Sequence, residues 1–503
     1  ASPQRQKVNY DLLFPKTTPL FQQVNIDSLG ISYVHKENNF NDFNRQKLIP
    51  YRISDKGPGV IVDDADGDGN MDIVFGSSIH KKTRIFLQNN GLFKEQEAPV
   101  IDNDSLSEDI QFLLEDFNQD GFKDLFVMSS GGEYYRENKN LLDRLYLGSD
   151  KGFLTKSQGV PEYFENSAVL KACDFDRDGD MDIFVGGGYV SYDFGKIPNS
   201  YILRNEGGKF TKLGIEGLQN AGMLTDAIWT DFDGDKKTDL IVTGEWMAPQ
   251  FFRNDNNTFV KVNKTGDQKL NGLWQQMVLF DIDGDGDEDI VLGNWGLNSK
   301  LTASREFPLK MYYGDVDGNK ISETIVAIAK KGKYYPLLGL DDLASQFSPM
   351  LKKKFTNYGS FAKQDLEGIV DPESLKKSAL FEVHELSSGY LENKNGNYIF
   401  HPFPEQLQLA PVTRFLTFDF DKDGKEELLA AGNFFGVTPF HGRLDANPGY
   451  LIKNNTTITP ASQLGMNLSN KLVRGLQVIN IQQKEFILVT LNNNKPELYL
   501  IKQ

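Results

Sequence analysis

A nine-residue acidic string, Asp-x-Asp-x-Asp-Gly-x-x-Asp, recurs seven times in this chain, each time opening out of one apolar stretch and running straight into another. The clearest copy runs from Asp281 through Asp283, Asp285 and Asp287 to Asp289. Close relatives start at Asp64, Asp116, Asp174, Asp231 and Asp419, with a degenerate one at Asp315. The flanks are strand-like, Met277 to Phe280 before and Ile290 to Leu292 after. Each copy therefore reads as a tight acidic loop joining two strands.

The spacing suits one kind of chemistry. Ca2+ takes six to eight oxygens at ~2.3 to 2.6 Å, and a tight loop points alternate side chains inward. Positions 1, 3 and 5 supply Asp64, Asp66 and Asp68; Asp116, Asn118 and Asp120; Asp174, Asp176 and Asp178; Asp231, Asp233 and Asp235; Asp281, Asp283 and Asp285; and Asp419, Asp421 and Asp423. Position 7 offers its backbone carbonyl, so its side chain is free to vary among Asn70, Phe122, Asp180, Lys237, Asp287 and Lys425. Position 9 closes the shell with Asp72, Asp124, Asp182, Asp239, Asp289 and Glu427. Gly at position 6 permits the φ > 0 conformation that folds the loop back around an ion. Lys236 stands there in the Asp231 copy, which makes that site the weaker one. About six Ca2+ sites are expected.

An EF-hand is excluded, because its loop ends in Glu at position 12 between helices. One such string alone would read equally well as a solvated turn; six good copies in register argue against that. A formal net charge of −16 concentrated in loops would repel itself in a compact fold, and six divalent ions would offset most of it. The acidity thus reads as ligand supply. Nucleic acid is not expected as a partner, since no basic stripe accompanies a recognition motif.

The chain has 503 residues, 39% of them hydrophobic, with 46 Gly and 36 Phe, as in a large folded protein with many turns. No apolar run approaches the ~20 residues of a spanning helix. The single Cys173 cannot form an internal disulfide and reads as a structural thiol on a strand. The first residue is Ala1, so the native start is expected to have been removed or to belong to a longer polypeptide, leaving any export signal or anchor out of view. Many moderate calcium sites fit an extracellular or cell-surface setting, where modules bind at ~10⁻⁴ to 10⁻³ M.

Motif starts at 64, 116, 174, 231 and 281 are 52, 58, 57 and 50 residues apart, which suits a four-stranded propeller blade with long loops. Each unit has an apolar strand, the acidic loop, a second strand such as Asp182 to Gly186, and a third strand turning through an Asn/Gly hairpin to a Phe such as Phe93, Phe153, Phe210 or Phe259. The fold expected is an all-β propeller of eight, alternatively seven, four-stranded blades. Residues 1–57 form an N-terminal segment whose strand near Phe21 to Ile26 closes the ring, and 58–333 hold the calcium-loop blades. Residues 334–403 read as a blade without the loop, interrupted by a helical insertion at 341–380 punctuated by Pro349 and Pro372, and 404–503 as the final blades. Asp315, only 34 residues after Asp281, falls where a third-to-fourth-strand hairpin is expected; Asp315, Asp317, Asn319 and Glu323 form a weak candidate site there.

Motif and setting resemble the FG-GAP or VCBS repeats of integrin α-subunit propellers and their bacterial relatives. Stretches such as DFNRQKLIPYRISDKGPGV, LTDAIWTDFDGD, TGEWMAP, GNWGLNSK and QLAPVTRFLTFDFDKDG look similar to surface proteins of Bacteroidota in the cartilage-acidic-protein and UnbV group. The resemblance implies a calcium-stabilised propeller outside the cell, associated with the outer membrane and possessing no catalytic residues to carry over. It further implies a setting beside TonB-dependent uptake machinery.

In a four-strand meander the first and third loops share one end and the second lies at the other. The second loops are the long aromatic ones, with Tyr134 and Tyr135; Tyr189 and Tyr192; Trp246; Trp295 and Asn298; and Phe434, Phe435, His441 and Arg443. Long loops on a rigid scaffold carry function, so this end is the expected ligand or partner face. The competing reading is that these rings plug the channel mouth. Two functions follow: a non-enzymatic module binding a surface protein or a glycan, or a calcium-dependent polysaccharide lyase. A lyase would need a base and a charge-neutralising cation in one pocket, and His441, Arg443, Glu245 and Arg136 are the only ingredients on that face.

Overall fold

In the computed structural model, residues 19–153, 155–347 and 350–502 are described; the start of the N-terminal segment and Pro349 lie outside them. Among the described residues there are eight antiparallel sheets, each of four strands, one with a short fifth strand at Gly272–Leu273 added. The pattern is clear in the first, Val60–Asp63, Asp72–Phe75, Arg84–Asn89 and Leu92–Gln96. Its last two strands are joined by Asn90 and Gly91 at φ 50° and 77°, the two-residue turn whose twist matches a hairpin. Second strands such as Asp124–Ser130 and Asp239–Met247 are buried at every residue, because sheets cover both of their faces.

Seven of the sheets close a ring. Their first strands touch in one cycle: Val60–Asp63, Glu108–Glu115, Asn166–Cys173, Met223–Thr230, Met277–Phe280, Val412–Phe418, Val473–Ile481 and back to the first. Each neighbouring pair shares an apolar layer. Phe126 and Leu145 pack with Leu170 and Ile183 between the second and third, and Ile73 and Phe86 with Leu488 and Leu498 across the closure. The closing sheet takes its fourth strand from the N-terminal segment, where Phe21–Val24 pairs with Glu497–Ile501. Closure removes the exposed edges of an open array.

The eighth sheet lies outside this cycle, so the ring has seven members, the alternative count. Residues 334–403 are not a blade. Gly389–Asn393 pairs with Asp289–Leu292 (Ile290 opposite Leu391), so it and Tyr398–Pro402 complete the Met277 blade. Residues 293–388 intervene between that blade's second and third strands. They carry the eighth sheet, in the order Lys333–Pro336, Glu323–Lys330, Leu309–Gly314, Ala379–Val383. Among the described residues five short helices follow within it, from Leu340–Gln346 to Pro372–Lys377, packing Leu343, Phe355, Leu366 and Ile369 against Ile325 and Val316. The Asp315 copy is therefore no third-to-fourth hairpin: it joins the paired strands Leu309–Gly314 and Glu323–Lys330. Spacing alone could not reveal this, because the strand that completes the Met277 blade returns only after a folded insertion. No helix among the described residues is long and apolar enough to cross a membrane.

Candidate metal loops and the opposite face

All seven acidic loops fold alike. The position 1 carboxylate reaches across its loop and accepts backbone amides with both oxygens: Asp64 Oδ1 from Gly67 (2.8 Å) and Oδ2 from Gly69 (2.9 Å). Asp281 does the same with Gly284 and Gly286, and Asp315 with Gly318 and Lys320. Asp116, Asp174 and Asp419 accept from positions 5 and 6, and Asp231 from positions 4, 5 and 6. Position 5 accepts the N–H of position 7, for example Asp68 from Asn70, Asp120 from Phe122 and Asp235 from Lys237. Position 6 is left-handed throughout, at φ 68° in Lys236 and 69° in Lys320 where other copies have Gly. Position 4 is left-handed too, in Gln119, Arg177 and Lys422 as well as in glycines, a requirement the motif does not advertise.

Position 9 anchors the loop to its sheet. Asp72, Asp124, Asp182, Asp239 and Asp289 are buried, and Oδ1 of each accepts an amide of the third strand or its end, from Gln88, Gly148, Asn205, Asn254 and Asn393 at 2.7–2.8 Å. Burial first, and neighbouring loop carboxylates in addition, push their pKa values up, to about 6 for Asp72, Asp124, Asp239 and Asp289 and about 7 for Asp182. Glu323 rises to about 7 for the same reasons.

Oxygens of positions 1, 3 and 9 converge to within 4.8 Å in the Asp64, Asp174, Asp231 and Asp315 loops, and those of Asp281, Asp283 and Asp285 do likewise. Several have nothing to bind: Asp182 Oδ2, Asp239 Oδ2, Asp176 Oδ1 and Asp287 Oδ1 are buried without a hydrogen-bond partner. Crowded, all-oxygen and partly orphaned, this donor set fits a hard cation such as Ca2+. One loop differs. In the Asp419 copy the ammonium of Lys453 bonds Asp421 and lies 3.2 Å from Glu427 and 3.8 Å from Asp423. That contact, ahead of burial, holds the Asp421 pKa down. The sequence reading missed Lys453, although it occupies the third-strand position held by Leu87 and Leu147 in the first two sheets.

Six of the loops crown one end of the ring, and three of them touch in series: Gln119 Nε2 donates to Asp180 Oδ1 at 2.6 Å, and Arg177 to the Lys236 carbonyl. The Asp315 loop, carried by the insertion, sits at the other end, where Thr324 donates to the Phe194 carbonyl and Tyr313 to Asp193.

That other end is closed by a plug. Tyr189, Trp246, Trp295 and Phe434, expected on a binding face, are instead buried in one apolar cluster with Phe194, Ile49, Tyr51 and Ile53. Tyr51 is its hub: its ring lies 4.9 Å from Trp295 and 6.0 Å from Phe434. Its hydroxyl donates to Glu245 Oε2 (2.7 Å) and accepts from Trp246 Nε1 (3.2 Å). Apolar rings around an uncovered channel mouth bury more area against one another than in water, which is why these four turn inward. The alternating Ile49, Tyr51 and Ile53 were the signal in the sequence, and it was missed.

Around the plug runs an exposed rim. Tyr135 is 54% exposed, 5.2 Å from Tyr192 edge to face, with the Arg136 guanidinium 4.8 Å over it and Arg45 6.0 Å over Tyr192. Tyr134 and Tyr192 are tied to the Leu106 and Glu133 carbonyls. Further along, Arg443 covers Phe435 at 3.8 Å, and Lys300 covers the exposed Phe440 at 3.4 Å beside His441. Asn298 donates to the Leu409 carbonyl. The four lyase ingredients are not joined: Glu245 lies under Tyr51 and Arg136 on Tyr135, and no hydrogen bond or ion pair among the described residues links either to His441 or Arg443.

The chain matches the FG-GAP-like repeat model four times, at 64–127, 116–185, 174–242 and 231–292. No curated protein sequence matches it. Among solved structures it resembles the Vibrio cholerae biofilm matrix protein Bap1, at 11% identity and a TM-score of 0.36 over 96% of this chain and 91% of that one. It also resembles Saccharomyces cerevisiae Sqt1, at 10% identity and 0.40 over 90% and 100%. Likenesses this loose carry no argument about the chain.

Proposed function

We propose that this chain, built on FG-GAP-like repeats, is a non-enzymatic, calcium-stabilised propeller that works outside the cell and grips a protein partner or glycan with the rim around its plug. One observation carries the reading: six acidic loops gather oxygen donors at one end of the ring, while the other end presents aromatic rings stacked with guanidinium and ammonium groups. Such pairs on a rigid support recognise partners through rings and charge together. A component of an outer-membrane surface assembly beside an uptake complex is the setting we favour.

The test is capture from detergent-solubilised envelope of the source cells, in calcium and in chelator, with identification of what is retained. The rim double variant Tyr135→Ala plus Tyr192→Ala should lose the calcium-dependent partner while melting as the parent does. Retained binding would move the site off this rim. Cleavage of an acidic polysaccharide by the purified chain would replace the reading with the lyase.

A further inference from the structure

The central channel holds more positive charge than its own contacts use. Beneath the plug is a cavity of about 210 Å3 lined by the first strands of the ring. Lys56, Lys171, Arg414 and Arg474 face it, against Asp226 and Glu245. Both carboxylates are engaged. Asp226 lies 3.0 Å from Lys171 Nζ and accepts the amides of Ala227 and Met277, and Glu245 accepts from Tyr51 and Gln275.

The other three cations have only neutral acceptors or none. Arg414 donates Nε to the Arg474 carbonyl at 2.6 Å and Nη1 to the Thr413 carbonyl at 2.5 Å. Arg474, 8% exposed, donates Nη2 to the Asp55 carbonyl, and its Nε is buried without a partner. It feels Asp55, Glu37 and Glu108, yet among the described residues it forms an ion pair with none of them, and Asp55 is paired with Arg52 at 2.8 Å. The Lys56 ammonium makes no hydrogen bond or ion pair among the described residues, and Glu245 and Asp42 act on it only from beyond contact distance. Like charges gathered in a poorly solvated cavity are costly unless a counter-charge joins them.

We propose that the channel binds one small oxyanion between Lys56, Arg414 and Arg474. Guanidinium forks suit the geometry of such an anion, and a cavity below the ~300 Å3 of drug-sized ligand sites admits an ion or a single acidic group. Inorganic sulfate and the carboxylate of an acidic monosaccharide share this chemistry.

The calcium-saturated full chain is melted in sodium sulfate, sodium glucuronate and sodium chloride at equal ionic strength. Sulfate or glucuronate should raise the Tm by several degrees over chloride, in proportion to the logarithm of concentration. Lys56→Met should melt as the parent does in chloride, its ammonium having no hydrogen bond or ion pair to lose, and weaken the anion's apparent affinity at least tenfold; Arg414→Gln should do the same if it folds. A shift with glucuronate alone would place the oxyanion on a sugar, and one with sulfate would make it a free ion. Equal melts in all three salts, a shift that survives Lys56→Met, or a Lys56→Met chain that fails to fold in chloride would each overturn the proposal.

Discussion

The Asp174 and Asp419 loops share a motif, a turn and a place between first and second strands, and they differ in what fills them. In the first, Asp182 Oδ2 and Asp176 Oδ1 are buried with no partner. In the second, the Lys453 ammonium lies among Asp421, Asp423 and Glu427. One cradle leaves carboxylate oxygens without a partner, whereas the other carries a tethered cation. A nine-residue motif gathers the carboxylates, but the third strand beside it decides whether a side-chain ammonium already balances them.

The largest effect expected of that difference is on the whole ring. Exhaustive chelation should lower the Tm steeply, since each site held at ~100-fold over its Kd contributes ~2.7 kcal/mol; an unchanged melt would remove calcium from the account. Chelation should also expose a pH dependence. The position 9 pKa values of about 6 to 7 lie above the ~3.9 of an unfolded Asp. The folded chain therefore holds more protons between those values, and stability falls as pH rises through that window. Chelated protein should melt higher at about pH 5 than at about pH 7.5, and calcium should abolish the difference.

Next in size, Asp182→Asn should cost about 2 kcal/mol in calcium, the worth of a charged ligand in a buried shell, and nothing in chelator, where it relieves repulsion. Glu427→Gln should show little calcium dependence, because Lys453 already serves that loop. Equal losses in the two variants would end the distinction. Lys453→Met should then add one bound Ca2+ per chain by equilibrium dialysis. The smallest effect belongs to Lys236, held at φ 68° where most copies have Gly. Lys236→Gly should stabilise by about 1 kcal/mol in urea denaturation, and a loss would mean that the side chain contributes something its backbone strain conceals.

The repeat, the strand order within a blade and the turn of the acidic loop were legible because each is local. Carboxylates two residues apart followed by a Gly turn have few other uses, and Asp281 to Asp289 reads the same alone as in the ring. The closing strand at Phe21–Val24 was legible as well, since the C-terminal sheet lacked a fourth member. Loop parity placed Trp246, Trp295 and Phe434 at the correct end, but parity does not say whether a ring faces water. That depended on Tyr51, nearly two hundred residues before Trp246 in the chain.

By itself, then, the sequence determined the repeating unit, since hydrophobic alternation, turn glycines and ligand spacing act over a few residues. Only the tertiary structure decided the rest: seven sheets in the ring with one outside it, Gly389–Asn393 returning to Asp289–Leu292 across a folded insertion, Lys453 in the last cradle and Tyr51 at the heart of the plug. Each of these joins residues far apart in the chain through burial or charge, and such a pairing is fixed by which surfaces the closed ring brings together.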